Sequence, residues 1–204
     1  MANIIVFGAG GRAGRATVAE ALRRGHQVTA VVRDPAKYSD LPFGLVAGDV
    51  TDAASVKALA PGHDAAINAS AGYDEDHFTS AARALAAGLA AAGVERLVSV
   101  GIGGALETAP GVLAHDGDGV PEEGRVFSRN HVAQLPILRA SDLDWVYLAP
   151  PLVFLDEGPG AGAYRLGDHR VIPGAAAFAY ADLARALVDE ATAPTRSREV
   201  VAVA

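Results

Sequence analysis

The chain of 204 residues contains no cysteine, so disulfides, thiolate zinc sites, iron–sulfur clusters and cysteine nucleophiles are excluded together. A reducing, cytoplasmic setting is expected. Positive charge is also short, with 17 basic residues against 24 acidic ones and a formal charge of −7. That balance removes the usual driving force for binding nucleic acid or an anionic membrane. The longest apolar runs, residues 84–94 and 145–155, fall short of the ~20 residues that span a bilayer. The first residues, Met1 to Phe7, lead straight into glycines without the basic and long apolar regions of a secretory signal, so export is not expected. No H-E-x-x-H or similar metal-binding spacing occurs among the six histidines, and no metal is expected.

Half of the residues are apolar, enough for one sizeable core, and residues 1–204 read as a single domain. Short runs that are apolar on both sides of a two-residue period, residues 4–7, 28–32, 45–47, 65–69, 97–100 and 145–148, predict strands buried on both faces. Stretches with helical spacing lie between them, such as Phe78, Ala82, Leu85 and Leu89, or Leu183 with Leu187. Strands alternating with helices predict an α/β fold, a doubly wound parallel sheet with helices on both faces. Gly25 is expected to end the first helix, Thr51 or Asp52 to cap the second, and Asp182 to open the last. Residues 121–140 read as a helix that breaks or kinks at Pro136. Residues 150–175 are rich in glycine and proline, with 163–166 and 170–172 extended, and form a small substrate-side elaboration.

The strongest motif is Ile4-Ile-Val-Phe-Gly8-Ala-Gly10-Gly11-Arg12-Ala13-Gly14, a strand that turns through glycines into a helix. Gly8 permits the tight turn, Gly10 or Gly11 lets the backbone approach a pyrophosphate, and Ala13 or Gly14 lets helix and strand pack closely. Two registers fit, Gly8–Gly11–Gly14 and Gly8–Gly10–Ala13. About 20 residues on, the second strand ends in Val32-Arg33-Asp34. A guanidinium at Arg33 suits a 2′-phosphate and predicts NADP, with Arg12 within reach of the same group. The alternatives are that Arg33 pairs with Asp34, or that Asp34 selects NAD. Asp49 and Val50 follow the third strand and suit an adenine amino group and ring, while Ala69, Ser70 and Ala71 leave room for the cofactor after the fourth. Gly101 and Pro150, after the later strands, complete the cofactor-side candidates.

Ordinary short-chain dehydrogenases use Tyr-x-x-x-Lys, but Lys37 and Lys57 are the only lysines and neither has the tyrosine. The catalytic candidates left are Ser99 and His131, a histidine being a suitable proton donor near neutral pH. His77 is a further candidate, and Tyr73 is placed to cover a flat substrate.

These motifs, with Arg24-Gly-His-Gln-Val-Thr-Ala-Val-Val-Arg-Asp-Pro35, Leu138-Arg-Ala-Ser-Asp-Leu-Asp-Trp145 and Tyr164-Arg-Leu-Gly167, resemble the NAD(P)H-binding, NmrA-like branch of the atypical short-chain dehydrogenases, and within it the NADH-flavin reductases. The resemblance covers nearly the whole chain. It implies a single-domain Rossmann protein with NADP or NAD contacts at Gly8, Gly11, Arg12, Ala13, Gly14, Arg33, Asp49, Val50, Ala69, Ser70 and Ala71. It also implies hydride transfer to a diffusible acceptor such as FMN, FAD or a quinone, with His131 as the long-helix histidine. Two departures bear on catalysis: Ala105 stands where relatives often have serine, and Ala149-Pro150-Pro151 where many have Arg-Pro. A reductase acting on a small-molecule acceptor, as monomer or homodimer, is therefore the first expectation, and an NADP-binding sensor without turnover the second. A nucleotide-sugar epimerase is disfavoured by the few residues after Pro150.

Overall fold

The computed structural model describes residues 1–175 and 177–204. Its strands and helices alternate as β1 (Asn3–Phe7), α1 (Arg12–Arg23), β2 (Gln27–Val32), β3 (Leu45–Ala47), α2 (Ala53–Leu59), β4 (Ala65–Asn68), α3 (His77–Ala92) and β5 (Arg96–Val100). There follow β6 (Glu107–Ala109), β7 (Val112–Leu113), α4 (Glu122–Val132), α5 (Leu135–Ala140), β8 (Asp144–Ala149), α6 (Tyr180–Thr192) and β9 (Glu199–Ala202).

Seven strands pair in the order β3-β2-β1-β4-β5-β8-β9, all parallel. Alternate residues of each central strand enter different cores, which is why these strands read as continuous apolar runs. Ile5, Phe7, Ala66, Leu97 and Tyr147 join Val56, Leu85, Leu89 and Leu138 beneath α2, α3 and α5. Ile4, Val6, Ile67, Val98 and Val146 join Val18, Leu183 and Leu187 beneath α1 and α6. The predicted doubly wound Rossmann fold is therefore the observed one, with helices on both faces.

The break expected near Pro136 is present: α4 ends at Val132 and Pro136 lies in the first turn of α5, where a missing N–H removes no helix bond. Asp52 caps α2 by accepting from Ala54 N–H at 2.9 Å. Asp182 does not open the last helix. That helix starts at Tyr180, and the Asp182 carboxylate turns back to accept from Ala161 and Gly162 N–H at 2.7 and 3.0 Å. Residues 163–166 and 170–172 are not strands but make single pairings, Leu166 with Val203 and Arg170 with Glu107. Two elements were not anticipated, the β6–β7 hairpin and the edge strand β9. Among the described residues no helix is long and apolar enough to cross a membrane.

Candidate functional site

The strand order reverses between β1 and β4, so the chain leaves their carboxyl ends in opposite directions and opens a crevice there. The glycine turn forms one wall of that crevice. Gly8 has φ +77°, and a Cβ on it would lie 2.5 Å from Ser70 N. A Cβ on Gly14 would overlap the Gly8 carbonyl oxygen, so close packing of α1 on the turn requires glycine here. At Gly11 a Cβ would meet only the Gly8 oxygen, at 3.5 Å, which leaves open space over this residue. Glycine is thus required by close approach at positions 8 and 14, and position 11 faces open space. Gly10 is corrected: a Cβ there would run into the Tyr38 ring, so its small size admits a side chain of the protein rather than a pyrophosphate. Ala13 packs at the margin of the α1–α6 core instead of setting the helix–strand spacing.

The start of α1 suits an anion. Its N-cap is Gly11, no side chain caps it, and its first turn carries no acidic residue. The Arg12 guanidinium does not lie with Arg33; it sits 5.4 Å from the Tyr180 ring centre and 3.6 Å from Glu157. Arg33 is exposed and, among the described residues, makes no ion pair. Asp34 is occupied elsewhere, accepting from Ala36 N–H at 3.1 Å and lying 3.9 Å from Lys37. Of the two alternatives for Arg33, pairing with Asp34 is thus not observed.

Asp49 Oδ1 accepts from the Thr51 hydroxyl at 2.7 Å and from its N–H at 2.9 Å. Burial pushes this carboxyl up, but those two bonds with Arg33 and His77 nearby hold it below its ordinary value. Val50 is buried in the core with Phe7 and Val31, so it offers no open face for a ring. Ala69 is nearly covered and Ala71 is exposed. Between them Ser70 donates through N–H and hydroxyl to Asn68 Oδ1 at 3.1 and 2.7 Å. His77 Nε2 approaches the Ser70 hydroxyl at 3.3 Å, and burial followed by the charge of Arg33 lowers its pKa.

The opposite wall differs from expectation. Gly101 is buried, and a Cβ there would strike the Tyr147 ring, so this glycine makes room for a tyrosine, not for a cofactor. Pro150 is likewise buried at the end of β8. Ser99 is 1% exposed and its hydroxyl has no partner, which removes it as a group that touches a substrate. His131 is 5% exposed. Its Nδ1 lies 2.7 Å from the Tyr147 hydroxyl and 2.9 Å from Gln134 Nε2, and its ring stacks on Phe78 at 4.0 Å. Burial drives its pKa down to about 3, so at neutral pH it holds no surplus proton to give. His131 as a charged acid is therefore corrected to a neutral imidazole.

Sequence reasoning missed Tyr147, Gln134 and Tyr38. The signal available was weak: Tyr147 lies inside an apolar run, and only the register pairing Asn68, Ser99 and Tyr147 across β4, β5 and β8 shows a polar row. Tyr73 on the loop before α3 is 97% exposed with its ring 6.0 Å from Phe127 on α4, and Val126, Leu152, Val153 and Phe154 are also exposed.

A doubly wound sheet whose switch point carries an uncapped, glycine-lined helix start is the framework of a dinucleotide-binding protein. The NAD(P)H-binding family model matches residues 8–194, and the chain belongs to that family. YwnB of Bacillus subtilis, an uncharacterized protein, is 32% identical over 97% of this chain and 95% of its own. A solved structure from Burkholderia pseudomallei, provisionally named an exported protein, superposes with a TM-score of 0.89 at 34% identity, covering all of both chains. A provisionally named NADH-flavin reductase from Streptococcus pneumoniae superposes at 0.84 with 26% identity, covering 100% of this chain and 99% of that one.

Proposed function

We propose that the protein is an NADPH-preferring reductase that passes hydride to a flat, diffusible acceptor such as a flavin or quinone. The observation that carries the reading is the pairing at the crevice of an uncapped α1 start, with open space over Gly11, and an exposed Arg33 that makes no ion pair among the described residues. The residues present fit a dinucleotide. Gly8, Gly11 and the first-turn N–H groups of α1 would hold its pyrophosphate, Arg33 its 2′-phosphate, and Asp49 with Ser70 and Ala71 its adenosine side. A bound reduced nicotinamide supplies the hydride. The chain's own contribution at the acceptor side is orientation and exclusion of water, through Tyr73 and Phe127, and hydrogen bonding from a neutral His131. A proton needed by a reduced flavin or quinone comes from solvent in this reading, since Ser99 is sealed and His131 is uncharged. The named NADH-flavin reductase among the similar structures supports the same class of acceptor.

A second reading, an NADP-binding regulatory protein without turnover, is favoured by the same sealed Ser99 and uncharged His131. NADPH oxidation with FMN, FAD and a quinone, beside NADH and enzyme-free controls, separates the two. Saturable turnover that prefers NADPH supports the reductase. Tight NADPH binding with no turnover on any acceptor overturns it in favour of the regulatory protein.

A further inference from the structure

Three side chains behind the acceptor wall form a chain of hydrogen bonds whose direction can be worked out donor by donor. Gln134 Nε2 lies 2.8 Å from the His131 backbone oxygen, which can only accept. The amide of Gln134 must therefore present its NH2 group at that place, not its oxygen. The same nitrogen is 2.9 Å from His131 Nδ1, so its second hydrogen points to the ring. Tyr147 agrees with this. With no hydrogen on Nδ1, the Tyr147 hydroxyl 2.7 Å away donates to it, while its oxygen accepts from Ile102 N–H at 3.2 Å. Both neighbours thus donate to Nδ1, and a ring nitrogen that accepts carries no hydrogen.

We infer that Tyr147 and Gln134 are positioning residues that lock His131 in the Nε2–H tautomer, making it a permanent uncharged hydrogen-bond donor toward the acceptor side of the crevice. Nδ1 is turned inward, and Nε2 lies across the ring from it. Among the described residues Nε2 has no hydrogen-bond partner. Phe78 stacked on the ring and Phe127 against its edge hold the plane. Tyr73 on the outer side of Phe127 marks the direction of the crevice. A donor fixed in this way needs no reorganisation as negative charge builds on a carbonyl or ring nitrogen of the acceptor. Gly101 belongs to the same device, because any side chain there would displace Tyr147. The tautomer follows from the hydrogen bonds alone; its use on an acceptor rests on the reductase reading above.

The test is 15N NMR of the histidine side chains in the free, full-length protein at neutral pH, with His131 assigned by its loss in His131→Gln. The wild type should show a single Nε2–H form. Tyr147→Phe keeps the ring over Gly101, Gln134→Met keeps the length, and the pair combined should bring the Nδ1–H form to a readily detected share. Turnover should fall about tenfold in the double variant at unchanged KM for NADPH, less than the roughly hundredfold expected when a preorganised donor is removed outright. A wild-type His131 protonated on Nδ1, or a tautomer unmoved in the double variant, overturns the lock. A tautomer that shifts as described while no acceptor is reduced by any form upholds the lock and counts against the reductase reading instead.

Discussion

The two walls of the crevice treat their polar groups in opposite ways. On the β1–α1–β2 side the donors are left without close protein partners: the first turn of α1 has no cap, and Arg33, though within electrostatic reach of Asp49, makes no ion pair among the described residues. On the β5–α4–β8 side Tyr147 and Gln134 are consumed on His131 Nδ1 and Ser99 is shut away, which leaves His131 Nε2 as a donor without a protein partner among the described residues. Unpaired donors at the surface are held ready for an anion and lose nothing to water meanwhile. Interlocked donors in the interior fix one geometry and one protonation state, at the cost of desolvation. The first wall is therefore built for recognition and the second for orientation.

The sharpest way to break this contrast is within the glycine turn itself. Gly14→Ala should lose cofactor binding and destabilise the fold by about 3 kcal/mol, because the added methyl overlaps the Gly8 carbonyl. Gly11→Val should abolish NADPH binding with little change in Tm, since only ordinary contact is met at 3.5 Å. Calorimetry beside NADPH titration checks both, and equal losses of Tm would refute the separate roles. Next in size, Arg33→Ala should weaken NADPH about 10- to 100-fold, the worth of a charge-assisted hydrogen bond, and leave NADH unchanged. Equal losses for both cofactors would remove the 2′-phosphate from Arg33.

A fourth prediction concerns the inner wall. His131 is held at about 3 in the folded chain against an ordinary 6.5, so between those values the unfolded state binds a proton that the native state refuses. Stability is thus fully present above about pH 6.5 and falls as pH drops toward 3, with a slope of about 1.4 kcal/mol per pH unit from this one group. Glu20, lowered chiefly by its bond to Arg23, adds to the loss only below about pH 4.5. Denaturant melts of wild type and His131→Gln across pH 4 to 7 should show a shallower slope in the variant. Smallest of all, Tyr73→Ser should raise the acceptor KM a fewfold, as expected for lost apolar contact worth about 1 kcal/mol, and leave NADPH affinity alone.

The same contrast explains what could be read from the sequence. The recognition wall is built from backbone, so its glycines, its strand end and its arginine appear as a contiguous motif, and the six strands of the prediction match the observed ones to within a residue at either end. Even there the choice between Gly10 and Gly11 needed the Tyr38 ring, which approaches from 28 residues along the chain. The orientation wall is assembled from α4, α5, β5 and β8, and nothing local distinguishes Tyr147 from the other apolar members of its run. His131 carried the correct residue type but not its state, because burial and partners decide the proton. Strand β9 was missed for a related reason: four residues, Glu199-Val-Val-Ala202, have no periodicity of their own and acquire strand geometry by pairing with β8.

The clasp between Asp182 and the amides of Ala161 and Gly162 bears on affinity. Together with the pairing of Asp156 to Phe178 and Tyr180, at 2.9 Å each, it fastens the far end of the loop that displays Leu152, Val153 and Phe154, whose near end leaves β8 directly. A surface tied down on both sides has already surrendered most of its conformational freedom during folding. A ligand landing on it meets little entropic resistance, so even a small, weakly polar molecule can be retained without the loop having to close over it.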